Sequence, residues 1–145
     1  MALSLVAWLL LAAPAAPVVA VVDVSLPDAV YEDVSRALAD DVVTALEKAG
    51  LSASRVDENE LPPEGCRAGP CLEALARARR VQALVVVDAT EKGPDVEVSV
   101  MALLATNGRP LGAKRFVAGK RAKKALTLFS ASVARALEPV DGGRR

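Results

Sequence analysis

The segment ALVVVDATEKGPDVEVSVMALL, residues 83–104, contains two strand patterns of different character and decides the fold class. Its first part, ALVVVDA, is apolar without alternation, which is typical of a strand buried on both faces of a sheet. After turn residues at 92–95, the second part alternates Val96, Val98 and Val100 against polar side chains. This alternation predicts a strand with one wetter face. The two strands therefore form a hairpin that continues a buried sheet.

The remaining elements are indicated by apolar periodicity and turn residues. A β-branched run at residues 18–24 predicts the first strand, and a short strand is expected at residues 52–56. Asn107 and Gly108 form a hairpin signal that should lead into a strand at residues 111–117. Three helices are predicted from apolar residues at helical spacing: Val30, Val34, Leu38, Val42 and Leu46; Leu72, Leu75 and Ala76; Leu126, Phe129, Val133 and Leu137.

Capping and turn residues place the helix ends. Ser25 or Asp28 can cap the first helix, and Gly50 can supply the left-handed residue after its end. Pro70 is tolerated in the first turn of the second helix, which puts Cys71 in that turn.

The resulting order, β-α-β-α-β-β-β-α, predicts a mixed sheet. Helical crossovers in the first half imply parallel pairing, and tight turns in the second half imply an antiparallel meander. We therefore expect a single α/β sandwich domain at residues 18–138, with the mixed parallel and antiparallel sheet of an α+β fold. A disordered tail is expected at residues 139–145.

The composition limits the chemistry open to the chain. None of its 145 residues is histidine, which removes the usual general base and the commonest transition-metal ligand. Asp23 and Asp88 follow valine runs at the expected ends of parallel strands and are a candidate carboxylate pair, although strand-end aspartates usually cap turns. We expect no enzymatic activity, no metal and no cofactor.

The two halves of the chain carry opposite charge. Residues 1–64 have 11 acidic and 3 basic side chains, a balance of −8, whereas residues 65–145 have 7 and 15, a balance of +8. The densest basic cluster comprises Lys114, Arg115, Lys120, Arg121, Lys123 and Lys124. It is a candidate binding surface for an acidic protein, anionic lipid or cell-wall polymer, or else an ordinary solvated surface. Phe116 alone makes no stacking platform, so no nucleic acid is expected.

The N-terminus is typical of an export signal. Residues 1–22 contain no charged side chain, and an apolar block at residues 3–13 is broken by Pro14 and Pro17. A spanning helix needs about 20 apolar residues, so a cleavable signal peptide at residues 1–15 fits better. No Lys or Arg precedes the block, which leaves an uncleaved N-terminal membrane anchor as the alternative. We expect a periplasmic or secreted protein.

Both cysteines lie in the sequence EGCRAGPCLEAL, residues 64–75. Without histidine, Cys66 and Cys71 cannot complete a four-ligand zinc site. Their spacing differs from the Cys-x-x-Cys of thiol oxidoreductases, but a thiol redox role remains open. Export to an oxidising compartment favours a disulfide.

With its elements in this order, the chain resembles the exported α/β domain at the N-terminus of TolB and in CsgG-like, FlgO-like and LpoB-like proteins of the bacterial cell envelope. The resemblance rests on VVAVVDVSLPD as first strand and turn, on GCRAGPCLEALARARRVQALVVVDAT as cysteine loop, helix and central strand, and on VEVSVMALLATNGRPLGAKRFV as closing hairpin. Where a family glycine would end the second helix, this chain has Arg80-Val81-Gln82.

The resemblance implies a non-catalytic envelope domain that contacts protein partners, and it implies that Cys66 and Cys71 are paired. The first functional hypothesis is therefore an interaction or assembly module that binds through a sheet edge or through the basic surface at residues 114–124. Peripheral binding of anionic lipid or cell-wall polymer through the same surface is the alternative. A thiol redox function ranks below both.

Overall fold

A computed structural model of the protein describes residues 16–24, 32–62, 65–66, 69–119 and 121–138. The elements in these ranges are β1 (Val18–Asp23), α1 (Glu32–Lys48), β2 (Ser52–Arg55), a 3-10 turn (Glu58–Glu60), α2 (Gly69–Arg79), β3 (Ala83–Lys92), β4 (Asp95–Leu104), β5 (Pro110–Val117) and α3 (Ala122–Ala136). This order confirms the predicted β-α-β-α-β-β-β-α arrangement of a single α/β domain.

The strands form one mixed sheet in the order β2-β1-β3-β4-β5. β1 pairs in parallel with β2 and with β3, because α1 and α2 each return the chain to the same end of the sheet. The two hairpins pair β3, β4 and β5 antiparallel, with Lys92 opposite Asp95 at the first turn. The predicted division into a parallel first half and an antiparallel meander is confirmed.

Helices cover both faces of the sheet, but unequally. On one face, α1 and α3 pack against all three central strands through a core that includes Val42, Leu46, Phe129 and Val133. On the other face, α2 packs Leu75 and Ala76 against β1 and β3. The side chains of β4 and β5 that share a face with α2 are left half-buried or exposed.

The predicted helical stripes are the faces that become buried. Leu38, Val42 and Leu46 of α1 are at most 5% exposed, and Gly50 after the helix has a φ of 95°, in the left-handed region. Other predictions lie outside the described residues: the signal peptide at residues 1–15, Val30 of the stripe and the side chain of Val34, the caps Ser25 and Asp28, Lys120, and the tail at residues 139–145.

The link between α2 and β3 requires a left-handed residue. Arg80 supplies it with a φ of 54°, at the position where the related proteins were expected to have glycine. The next residues fasten the helix end to the sheet, since Gln82 N donates to Val18 O at 2.9 Å and Val18 N donates to Gln82 Oε1 at 2.9 Å. Arg80 thus adopts a backbone conformation that glycine adopts more readily than other residues.

The prediction that Asp88 lies at a strand end is wrong. β3 continues to Lys92, because it pairs with β4 beyond the point where β1 stops. Asp23 does end β1, opposite Val87. Alternation places Asp23 with the α1 face and Asp88 with the α2 face, so the two carboxylates point to opposite sides of the sheet.

Candidate interaction surface

The cysteine loop is closed by a disulfide between Cys66 and Cys71, whose Cα atoms lie 5.6 Å apart. Cys66 is buried, and Cys71 lies in the first turn of α2, as Pro70 predicted. A ring this small restrains the loop locally and joins it to α2. Among the described residues, no group of three or more His, Cys, Asp and Glu side chains is placed to hold a metal ion.

Arg79, at the end of α2, joins the loop before the disulfide to the sheet. Its Nε donates to Glu60 Oε2 at 2.8 Å, and a second nitrogen pairs with the other carboxylate oxygen. The guanidinium also donates to Ser54 Oγ and to the carbonyl oxygen of Arg55, each at 3.2 Å. One side chain thus holds three elements together: α2, β2 and the 3-10 turn.

The stability from this contact should depend on pH. The hydrogen bond from Arg79, helped by the Asp57 N–H, holds the pKa of Glu60 below its ordinary value. The stabilisation is therefore present above the unfolded-state pKa, about 4.3 for glutamate, and is lost as the pH falls through the lower folded value. We expect Arg79→Gln to lower the urea midpoint at neutral pH, and the difference from wild type to shrink in acid. An equal difference at both pH values would contradict this.

The basic cluster is divided by the sheet. Lys114 and Arg115 are neighbours on β5 and so point to opposite faces. Lys114 pairs with Val100 and shares the α3 face, whereas Arg115 pairs with Ser99 on the face left open by α2. Arg115 lies 3.5 Å from a Glu97 carboxylate oxygen, and Lys92 binds the other oxygen of that carboxylate at 3.1 Å.

Three more basic residues cluster where α3 begins. Arg121 is the N-cap of the helix with a φ of 54°, and it makes no side-chain capping hydrogen bond. Lys123 and Lys124 follow in a first turn that contains no acidic residue, and all three side chains are exposed. Within the described part of the chain, none of the three forms an ion pair with a carboxylate. Cations at a helix N-terminus oppose the helix dipole, so local helix stability does not account for them.

The two halves of the chain supply different strands of the sheet. The acidic half supplies β1 and β2, and the basic half supplies β3, β4 and β5. The strands themselves do not carry the charge asymmetry, because β1 and β2 together contain one acidic and one basic residue, whereas β3, β4 and β5 together contain four acidic and three basic residues. The basic residues of β5 and of the start of α3 are therefore a local cluster at one edge of the sheet.

Two exposed apolar side chains lie near β5. Met101 is 39% exposed in the row of β4 that also holds Glu97 and Ser99, and it pairs with Ala113 of β5. Leu128 on α3 is 51% exposed. The alternation of β4 already assigned Met101 to the wetter face, so this part of the surface had a signal in the sequence.

The chain is similar to several solved structures. TolB from Acinetobacter baumannii is 18% identical with a TM-score of 0.56, over 89% of this chain and 30% of TolB. The PelC dodecamer from Paraburkholderia phytofirmans is 12% identical with a TM-score of 0.49, covering 88% of this chain and 90% of that chain. For the LpoB C-terminal domain from Salmonella enterica, the identity is 14% and the TM-score 0.45, over 79% of this chain and 92% of that domain.

These similarities concern the fold. TolB, for which the TM-score exceeds 0.5, shares the α/β arrangement with this chain, and an identity of 18% carries the likeness no further than the fold. No protein-family model matches the chain, and no curated protein sequence matches it either. In the described ranges, no helix has both the length and the apolar character needed to cross a bilayer.

Proposed function

We propose that the protein is an exported, non-enzymatic interaction module of the bacterial cell envelope, and that it binds an acidic protein partner at the corner formed by β5 and the start of α3. The observation that carries this proposal is the exposed cluster of Arg121, Lys123 and Lys124, which has no carboxylate partners in the described residues. Lys114 extends the cluster along the α3 face of β5.

The surrounding structure supports this function. Exposed cations without partners raise the local positive potential, which attracts an acidic surface and speeds encounter. Asp23 of β1 and Asp88 of β3 point to different faces of the sheet and so do not form a carboxylate pair. The envelope location comes from the export signal predicted at residues 1–15 and from the resemblance to TolB-like domains.

The proposal is tested with poly-glutamate as the acidic probe. We expect fluorescence anisotropy to show binding at low salt that weakens steeply over a tenfold rise in ionic strength, because exposed ion pairs are screened. Replacing Arg121, Lys123 and Lys124 together by serine should reduce the affinity by about tenfold, since three exposed pairs at about 0.2–1 kcal/mol each contribute about 0.6–3 kcal/mol in total.

A matched variant controls for net charge. Arg77, Arg80 and Arg109 are three exposed cations at the opposite end of the sheet, and their replacement by serine removes the same charge. If the control variant loses as much affinity as the first, binding follows net charge and the proposed site is wrong. If wild type ignores poly-glutamate but binds phosphatidylglycerol vesicles, the protein is a peripheral lipid binder instead.

A further inference from the structure

β5 is an edge strand with one unpaired side. In the described residues it pairs only with β4. Ala118 N donates to Val96 O at 2.9 Å, which marks a hydrogen-bonded pair at the end of this ladder. Such pairs alternate with non-hydrogen-bonded ones, so the N–H and C=O groups of Ala113, Arg115 and Val117 point away from β4. This edge is ready to pair with another extended chain.

Apolar side chains lie on both sides of this edge. A methyl group placed on Gly112 would lie 3.7 Å from the Cβ of Ser132, which locates that part of α3 above β5. Leu128 is one turn earlier than Ser132 on the same face of α3. Because α3 runs back along β5, Leu128 is displaced from Gly112 towards Lys114. On the opposite face Met101 lies beside Ala113. Two of the three exposed large hydrophobic residues of the described chain thus border the edge.

The charges on β5 disfavour a second copy of this chain as the occupant. Lys114 and Arg115 lie at the middle of the strand, so antiparallel pairing of two β5 edges would bring these cations together. Like charges opposite each other destabilise paired strands, whereas opposite charges stabilise them. The other edge of the sheet, β2, has only 4 residues and is bordered by Arg55 and Arg79. An acidic strand fits β5 better than either edge of a second copy.

We propose that an extended acidic segment of a partner protein adds to β5 as a further strand of the sheet. Backbone hydrogen bonds to Ala113, Arg115 and Val117 align the segment. Because side chains alternate between the two faces of a strand, its carboxylates all lie on the α3 face, where Lys114 is exposed, and its apolar side chains lie on the other face, beside Ala113 and Met101. This inference rests on the proposed acidic partner and specifies how that partner binds.

The probe is a fluorescein-labelled peptide of alternating valine and glutamate, blocked at both ends and as long as β5, which has 8 residues. We expect wild type to bind it, and Ala113→Pro to weaken the binding by about tenfold because proline removes an outward N–H and obstructs the edge. Ala113→Val is the matched control, since it keeps the N–H and should bind as wild type does. Val117→Pro provides a second edge block should Ala113→Pro fail to fold.

Two further probes separate strand addition from charge attraction. A peptide of the same composition with its valines and glutamates in two blocks keeps the charge but loses the alternation. A peptide N-methylated at alternate amides keeps the side chains but loses the donors on one edge. Both should bind at least about tenfold more weakly than the alternating peptide.

The outcomes distinguish this inference from the proposed function. Equal binding of the alternating and block peptides, or full binding by both proline variants, would overturn strand addition. Poly-glutamate binding that depends on Arg121, Lys123 and Lys124 would then still support the basic corner. If neither poly-glutamate nor the alternating peptide binds, both proposals are wrong.

Discussion

Replacing Phe129 by alanine should lower the free energy of unfolding by about 3–5 kcal/mol, a large part of the stability of a small domain. Phe129 is 2% exposed in the core that joins α3 to the sheet. A methyl group on Gly112 would touch its ring at 4.0 Å, which shows how closely the ring approaches the backbone of β5. Truncation removes buried apolar atoms and leaves a cavity between α3 and the sheet, which the surrounding side chains fill only in part.

Urea unfolding followed by circular dichroism measures this loss. Leu128→Ala is the matched control, because it removes a large side chain from the adjacent position of the same helix, where the leucine is 51% exposed. It should change the unfolding free energy by less than about 1 kcal/mol. Equal losses for both variants would show that α3 does not pack against the sheet through Phe129.

Most of the fold was predictable because its signals are local. The unbroken apolar run before Asp88 identified the central strand, and the Asn107-Gly108 turn identified the last hairpin. The end of β3 was misplaced because pairing with β4 extends a strand whose sequence turns polar after Ala89. That extension results from pairing with β4, so the local change in polarity does not predict where β3 ends.

The candidate site was less predictable than the fold. Sequence proximity grouped Lys114 with Arg115, but strand alternation separates them onto opposite faces. The role of Arg79 depends on the loop at Glu60 returning to the end of α2, which follows from the folded path of the chain. Local patterns therefore identified the basic residues, whereas the geometry that divides them needed the sheet.

Removing the disulfide should have the second largest effect on stability. The double variant Cys66→Ala/Cys71→Ala should lose about 2 kcal/mol of unfolding free energy, because the cross-link restricts the unfolded chain over a separation of 5 residues. Wild type treated with dithiothreitol should show a similar loss, and the double variant should not respond to the reductant. This comparison separates loss of the cross-link from the effect of a smaller side chain at the buried Cys66 position.

The same variant discriminates between an interaction module and a thiol redox protein. The basic corner at the start of α3 lies on a different element from the cysteine loop, so poly-glutamate binding should be unchanged in the folded double variant. A redox protein would instead need Cys71 as an attacking thiolate at the first turn of α2, where the helix dipole can lower the pKa of a thiol. Disulfide reductase activity in wild type that disappears in the double variant would contradict the interaction module. Unchanged binding together with the expected loss of stability assigns the pair to holding the loop against α2.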